Sequence, residues 1–595
     1  LIESLDERSE ATKKLYPRIL YGRAAELIND GQLNSADELL DKILKDPYNA
    51  PVLPLTHYWK GEIAYRYNNL DDATQYYHKF LSSGSAGMGE ASVKEANYNL
   101  GYCYLRRENF TQALGFFQKA TGRIALSSPY IDQDAYTRQA DCYFMQRNFK
   151  QALTMYQQVI DYSWRNADYA LYQKAMITGI NNSKGKIDLL NTIQRVYPNS
   201  VLIADANMEI AKTYMADERF REAIPYLTNV VNSQQPTEFK PNALLQLGIA
   251  NANSNKNEDA IAAYKKLIQQ YPNTEEADQA LDNIKSIYIE TGRPEVYEDF
   301  VRTSGKTITA SEADSLAYAA VEVKLGNNDC KGAIQQIGNY LSRFPNGAHT
   351  IEANYFRSEC YMQNKDWRNA LPGYEYVAQA SMSRFTERSA FIAARTYYFE
   401  LKDYTKAGPY YDILRIAAST DENRLEALRG ALRCYYQLKD YKKASETAKE
   451  LLANKNAGND DKALGNLVTA TNHQLNGQLD LAIQSFRSVV NLNKGEWAAE
   501  ARYQIAKCFF DLNNFTQAEK SGFEVINKSG SYDFWVTKSY ILLGDIYFKQ
   551  KDYFNAKATY KSVSENAINP QLKQEATEKL QQVTDEEKKN SKVDG

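Results

Sequence analysis

Six cysteines, four histidines and a scatter of acidic pairs are the residues of this chain that could hold a metal, form a disulfide or move a proton. Cys103, Cys142, Cys360, Cys434 and Cys508 each stand ten residues before an alanine that itself recurs along the chain. Equivalent positions on neighbouring helix pairs lie about 10 Å or more apart, beyond the roughly 7 Å Cα limit for a disulfide. The spacing therefore predicts buried, unpaired thiols. No C-x-x-C pair or Cys/His cluster has zinc-ligand spacing. His57, His78, His349 and His473 fall in different segments, none close to a Ser or Cys partner, so a histidine-based dyad is not expected. GINNSKGKI, from Gly179, has the outline of a phosphate loop, but five residues rather than four separate its glycines. Ile187 then follows Lys186, where Ser or Thr would bind magnesium. Asp71-Asp72 and Asp460-Asp461 sit at helix starts, where carboxylates cap amides and offset the macrodipole. No catalytic residue, cofactor or metal site is predicted.

The elements that carry these residues follow from a repeated pattern. The chain has 595 residues, 71 basic and 74 acidic, for a net charge of −3. That balance, without a long Lys/Arg block, argues against binding nucleic-acid phosphates. No stretch approaches the roughly 18 apolar residues needed to span a bilayer. With 29 glycines, 15 prolines and 45 tyrosines, breakers are few and large amphipathic rings are many, which favours packed helices. The chain opens at Leu1 in mid-pattern, without a basic or apolar leader, so any signal peptide or lipidation cysteine is expected to have been removed or to lie upstream.

Self-comparison finds a small residue, an aromatic, a polar break, another aromatic and an alanine, as in ANYNLGYCYLRRENFTQALGFFQK from Ala96. The alanine recurs at Ala36, Ala73, Ala113, Ala152, Ala223, Ala260, Ala333, Ala370, Ala407, Ala444, Ala482, Ala518 and Ala556, mostly at steps of 36 to 40. Two double-length gaps each fit an extra degenerate copy, giving about fifteen helix-turn-helix units. Small residues stand twelve before the alanine (Gly61, Gly101, Ala140, Ala211, Gly248, Gly544). Rings stand nine before it and again four after it, the latter including Tyr77, Phe117, Tyr156, Tyr264, Tyr374, Tyr411, Phe486 and Tyr560. These are core positions first.

These offsets, with prolines about twelve past the alanine at Pro272 and Pro345, resemble the tetratricopeptide repeat over nearly the whole chain. The resemblance implies an all-α fold, an α-α superhelix or solenoid whose repeats are stable only when stacked. Its subdivision is expected as N-terminal repeats over 1–180, repeats with degenerate copies and possible hinges over 181–312, regular repeats over 313–570, and a helix end with a frayed, charged tail over 571–595. The joints YPNS at Tyr197, YPNT at Tyr271 and FPNG at Phe344 are similar to those of envelope tetratricopeptide proteins of Gram-negative bacteria, including outer-membrane assembly and Tol-Pal coordinator proteins. With the richness in tyrosine and asparagine, the chain is most similar to the long members of Bacteroidota. That likeness implies a periplasmic, outer-membrane-associated address and partners within an envelope complex; a cytoplasmic address is the alternative.

The family's inner face is supplied by first-helix positions fifteen, eleven and eight residues before the alanine. Carried over, they are Tyr58, Glu62 and Tyr65; Tyr98, Tyr102 and Leu105; Tyr355, Glu359 and Met362; Arg429, Arg433 and Tyr436; and Tyr503, Lys507 and Phe510. Rigid rings with isolated charges suit recognition of a protein or peptide segment. The same tyrosines could instead stack on sugars, which makes a glycan- or peptidoglycan-binding module the second reading. The expected function is a non-catalytic scaffold.

Overall fold

A computed structural model describes residues 9–234 and 237–591, and among these the chain forms thirty-one α-helices that follow one another as antiparallel pairs. Fourteen pairs run from Glu10–Asn29 with Leu33–Lys45 to Asp533–Lys549 with Tyr553–Asn566, the helix Pro570–Ser591 packs on the last of them, and Glu275–Glu290 and Pro294–Thr303 come in sequence between the seventh and the eighth. The double-length gaps are filled as the repeat pattern requires: Ala167–Thr178 with Ser183–Val196 in one, Glu275–Glu290 and Pro294–Thr303 in the other. The chain divides between Ile287 and Tyr288 into two compact units, each built on this plan.

All thirteen recurring alanines are fully buried, because each sits where its second helix crosses the first and no larger side chain fits. The rings four residues later include the largest fully buried side chains, Tyr77, Tyr156, Tyr264, Tyr374, Tyr411, Tyr560, Phe117 and Phe486. Tyr77, Phe117, Tyr264 and Tyr560 press on the glycine of the partner helix, and Tyr411 presses on Gly430 of the next first helix. A Cβ added at Gly248 would come within 2.2 Å of the Tyr264 ring, and one at Gly101 within 2.6 Å of Phe117.

The polar break is equally regular. Five residues before every recurring alanine the backbone has positive φ, in Gly31 and Gly477 but also in Asn68, Glu108, Arg147, Glu218, Asn255, Asn328, Lys365, Lys402, Lys439, Asn513 and Lys551. This left-handed residue ends the first helix in a Schellman turn, in which the next N–H reaches back five residues, as from Asn109 to the Tyr104 carbonyl at 2.9 Å; only at Asp403, after the π-helical turn Thr396–Glu400, does it reach back six, to Tyr397. That next residue is then the N-cap of the second helix: Asn69, Asn109, Asp440 and Asp552 each accept from the backbone N–H three residues on. One residue thus closes one helix and opens the other.

The all-α chain carries one short antiparallel hairpin among the described residues, Gly87–Met88 with Ala91–Ser92, whose turn needs glycine at position 87: a Cβ there would meet the Ala91 carbonyl oxygen at 1.9 Å. Three expectations are corrected. The charged C-terminal segment is not frayed as far as Ser591. The helix Pro570–Ser591 buries Leu572, Ala576 and Val583, and Lys579 and Glu587 pair with Asp545 and Lys557 at 2.5 Å, so apolar residues spaced four and seven apart were enough to dock it. Residues 592–595 lie outside the described residues. Cys360 is not a free thiol: it forms a disulfide with Cys330, with Cα atoms 5.2 Å apart. Like positions of neighbouring repeats stand too far apart to bridge, whereas Cys330 stands three residues before Ala333, at the start of a second helix that abuts the following first helix. Finally, Tyr58 is not an open-face residue; it is 4% exposed and edge-packed against Tyr77 and Phe80.

Candidate partner-binding face of the first helices

The other predicted face residues lie on first helices and are half-buried, but nearly all their polar atoms are already engaged with neighbouring repeats. Tyr98 and Tyr102, one turn apart on Val93–Arg106 with ring centroids 5.1 Å from each other, both donate to Asp134 Oδ2, at 2.8 and 2.5 Å. Asp134 belongs to the next first helix and is buried. Its other oxygen accepts from Asn166 at 3.0 Å and faces Arg138 at 3.4 Å, so four donors surround one carboxylate.

Glu62 accepts from Tyr77 at 2.9 Å, Arg66 at 2.8 Å and Asn99 at 3.2 Å, while Arg106 covers the Tyr65 ring at 4.4 Å. Leu105 is half-buried and packs on the adjoining core. Tyr355 stacks on Phe385 at 4.4 Å, and Glu359 accepts from Tyr374 at 2.7 Å and, bidentately, from Arg388 at 2.7 and 3.1 Å. Burial would raise the Glu359 carboxyl, but the Arg388 and Tyr374 bonds outweigh it and hold it below the usual range. Met362 is half-buried at the end of the same helix.

Arg429 grips buried Asp461 at 2.5 and 2.7 Å, and Arg433 lies over the Trp497 ring at 5.8 Å without an ion pair among the described residues. Tyr436 reaches forward to Glu500 at 2.7 Å. Burial raises that carboxyl above its usual range, with Glu496 adding to the effect and the Tyr436 bond opposing it. Tyr503 leans on Trp535 at 5.5 Å; Lys507 pairs with Asp511 at 2.5 Å and lies over Phe510 at 4.9 Å, the ring that in turn meets Phe515.

The structure thus brings Tyr98 to Tyr102 and Lys507 to Phe510, and it adds residues that the offsets did not single out: Asp134, Arg388, Asp461, Glu500, Trp497 and Trp535. The sequence does hold a signal for two of them. Asp134 follows Tyr102, and Asp461 follows Arg429, by the same 32 residues, one repeat less about one helical turn. The arrangement is a polar lattice between successive first helices with ring faces left on its surface. The free thiols are equally committed: Cys103 is pushed up to about 11, and Cys142, Cys434 and Cys508 to about 12, chiefly by burial, which leaves little thiolate for chemistry. Among the described residues no group of three or more His, Cys, Asp and Glu could hold a metal ion, and no helix is long and apolar enough to cross a membrane.

Tetratricopeptide repeat models match residues 60–129, 134–163 with 242–274, and 537–566. Those segments are tetratricopeptide repeats, and the same buried alanine and left-handed break recur in the pairs between them, except that Ala167–Thr178 with Ser183–Val196 has neither and the step from Glu275–Glu290 to Pro294–Thr303 has the left-handed residue, Gly292, without the alanine. No curated protein matches the chain in sequence. Similar solved structures include a tetratricopeptide repeat protein from Parabacteroides merdae, 18% identical over 45% of this chain and 98% of that one, TM-score 0.31. They also include Naa15/Naa10 bound to HypK-THB, 13% identical over 95% and 96%, TM-score 0.29, and the P58(IPK) TPR domain, 16% identical over 71% and 98%, TM-score 0.20.

Proposed function

We propose that the chain is a non-catalytic scaffold that holds segments of partner proteins against the first-helix face, within an outer-membrane-associated assembly of the periplasm. The observation that carries the binding reading is the Tyr98, Tyr102 and Asp134 cluster. Rings fixed by their own hydroxyl bonds offer contact area without losing rotamer freedom when a partner arrives. Because the hydroxyls are engaged, the partner meets ring faces and edges, which favours an apolar or cationic side chain on a peptide. The compartment is supported by the Cys330–Cys360 disulfide, a bond that persists in oxidising surroundings.

Peptides selected by display against the full chain test this. Tyr98→Ala should weaken their binding tenfold or more with the helical signal unchanged, while Tyr376→Ala, at an exposed tyrosine on a second helix, should leave it as it was. Equal binding by the Tyr98 variant and the parent would defeat the reading. The glycan alternative draws on the same cluster, in which rings stand beside Asp134, Arg138 and Asn166. Its weakness is that these polar groups are saturated by each other and have few bonds left for sugar hydroxyls. A glycan array that lights up, and goes dark with Tyr98→Ala, would favour it.

A further inference from the structure

Two clefts of the second unit are built on one plan, each where a second helix, the next first helix and its own second helix meet. They differ in charge. The earlier one, among Pro294–Thr303, Ala310–Gly326 and Cys330–Arg343, is lined by Ala317, Gln336 and Arg343, and its cation is neutralised from within: Arg343 Nη2 donates to both oxygens of buried Glu298 at 3.0 Å.

The later cleft, about 340 Å³, lies among Leu479–Leu492, Glu496–Asp511 and Phe515–Lys528. Each of these helices contributes one cation to it, Arg487, Arg502 and Lys520, around apolar Val490, Ile505 and Phe509. Arg502 occupies the place of Ala317, sixteen residues before the recurring alanine, and no other repeat so anchored has Lys or Arg there. Its Nη1 donates to Ser529 Oγ at 3.2 Å, but its Nε is buried with no hydrogen-bond partner among the described residues. The one carboxylate lining the cleft, Glu524, is held by Lys528 at 2.5 Å, and no ion pair joins Arg487, Arg502 or Lys520 to an acidic residue among the described residues.

A buried guanidinium nitrogen left without a partner is costly, and three cations lining one cleft repel one another unless a counter-charge sits among them. A single carboxylate needs only one guanidinium, as Arg429 and Asp461 show, so three cations call for an anion of higher charge. We propose that this cleft binds a multiply charged oxyanion, a phosphate or a polycarboxylate, between Arg487, Arg502 and Lys520, with the carbon body of its carrier against Val490, Ile505 and Phe509. The site is separate from the first-helix face and stands whether or not that face binds protein.

The test is calorimetric titration of the full chain with inorganic pyrophosphate and, separately, with citrate, at matched ionic strength. The expected result is saturable binding of at least one probe, weakened tenfold or more by Arg487→Gln or Lys520→Gln. Both positions are exposed, so both variants should fold as the parent does. Arg368→Gln, an exposed arginine of another repeat, should bind as the parent. Tighter pyrophosphate identifies a phosphate carrier, and tighter citrate a carboxylate carrier. No saturable binding of either probe, or undiminished binding by the Arg487→Gln, Lys520→Gln double variant, or an equal loss with Arg368→Gln, would overturn the proposal.

Discussion

The Tyr374 hydroxyl donates to Glu359 Oε1 at 2.7 Å, fifteen residues back along the chain, and so ties a second helix to the first helix of its own repeat. The same bond recurs from Tyr77 to Glu62, Tyr156 to Asp141 and Tyr560 to Asp545. The ring fills the core, and its tip surfaces beneath the first-helix face. Tyr374→Phe keeps the ring and removes a bond to a charged acceptor, which should cost about 1.5–3 kcal/mol near neutral pH. The sign with pH follows from the lowered Glu359 carboxyl. Its stabilisation is complete above the ordinary glutamate range near 4.3 and fades as pH falls through the lower folded value. The gap between parent and variant in denaturant melts should therefore close on acidification; a gap that widens would contradict the assignment.

Glu500 has the opposite sign. A carboxyl raised by burial favours the fold below its unfolded pKa and loses that benefit as pH rises through the folded value, so its ionised form is a burden at pH 7. Glu500→Gln keeps an acceptor for Tyr436 and should raise Tm at pH 7, with the advantage disappearing toward pH 4. A lower Tm at pH 7 would mean that the charge itself is needed.

Arg429 and Arg433, one turn apart on Asp421–Gln437, should part ways when reversed to glutamate. At Arg429 the change sets a second carboxylate against buried Asp461, at a cost of about 3–5 kcal/mol. Arg433, without an ion pair among the described residues, should tolerate reversal within about 0.5 kcal/mol, so any change in partner binding by that variant reports on the face rather than on the fold. Circular dichroism melts of both variants check this.

The left-handed turn residues offer a gain. An L residue there costs about 1–2 kcal/mol relative to the right-handed region, and glycine surrenders only part of that advantage through chain entropy. Arg147→Gly, at φ 60°, should therefore stabilise its repeats by about 0.5–1 kcal/mol, whereas the same change at Arg138 on the preceding helix should destabilise them. Chemical denaturation of the two single variants decides it.

Alkylation should find the thiols closed. In the native protein Cys103, Cys142, Cys434 and Cys508 should react slowly, and in denaturant without reductant they alone should be labelled. Replacing Cys330 by Ser opens a bridge across a sequence separation of 30 residues and should cost about 3 kcal/mol. Six labelled cysteines in unreduced denatured protein would remove both the bridge and the support it lends to an oxidising compartment.

The fold was legible because the repeat states its offsets many times over. Ala407 and Tyr411 are informative only beside Ala370 and Tyr374, and in phase they define a helix crossing. The candidate face was legible only as a set of places. That Glu359 is held by Arg388, or Tyr436 by Glu500, depends on long side chains reaching across a joint, where a single turn of offset changes the partner and residue type alone leaves several choices. Cys330 was missed for a related reason: the contact that pairs it with Cys360 joins unlike positions of two repeats. The hairpin at Gly87–Met88 lies in an insertion that the period does not describe.

The Cys330–Cys360 contact also has relatives. Three residues before the alanine the preceding repeats place Phe110, Tyr404 and Leu479, and these share hydrophobic clusters with Cys142, Cys434 and Cys508. Each of those joints already holds one half of a covalent staple. The joint that Cys330–Cys360 closes covalently is thus closed by apolar packing around a lone thiol in its counterparts, so one seam of the array resists separation by a bond where the others rely on exclusion of water.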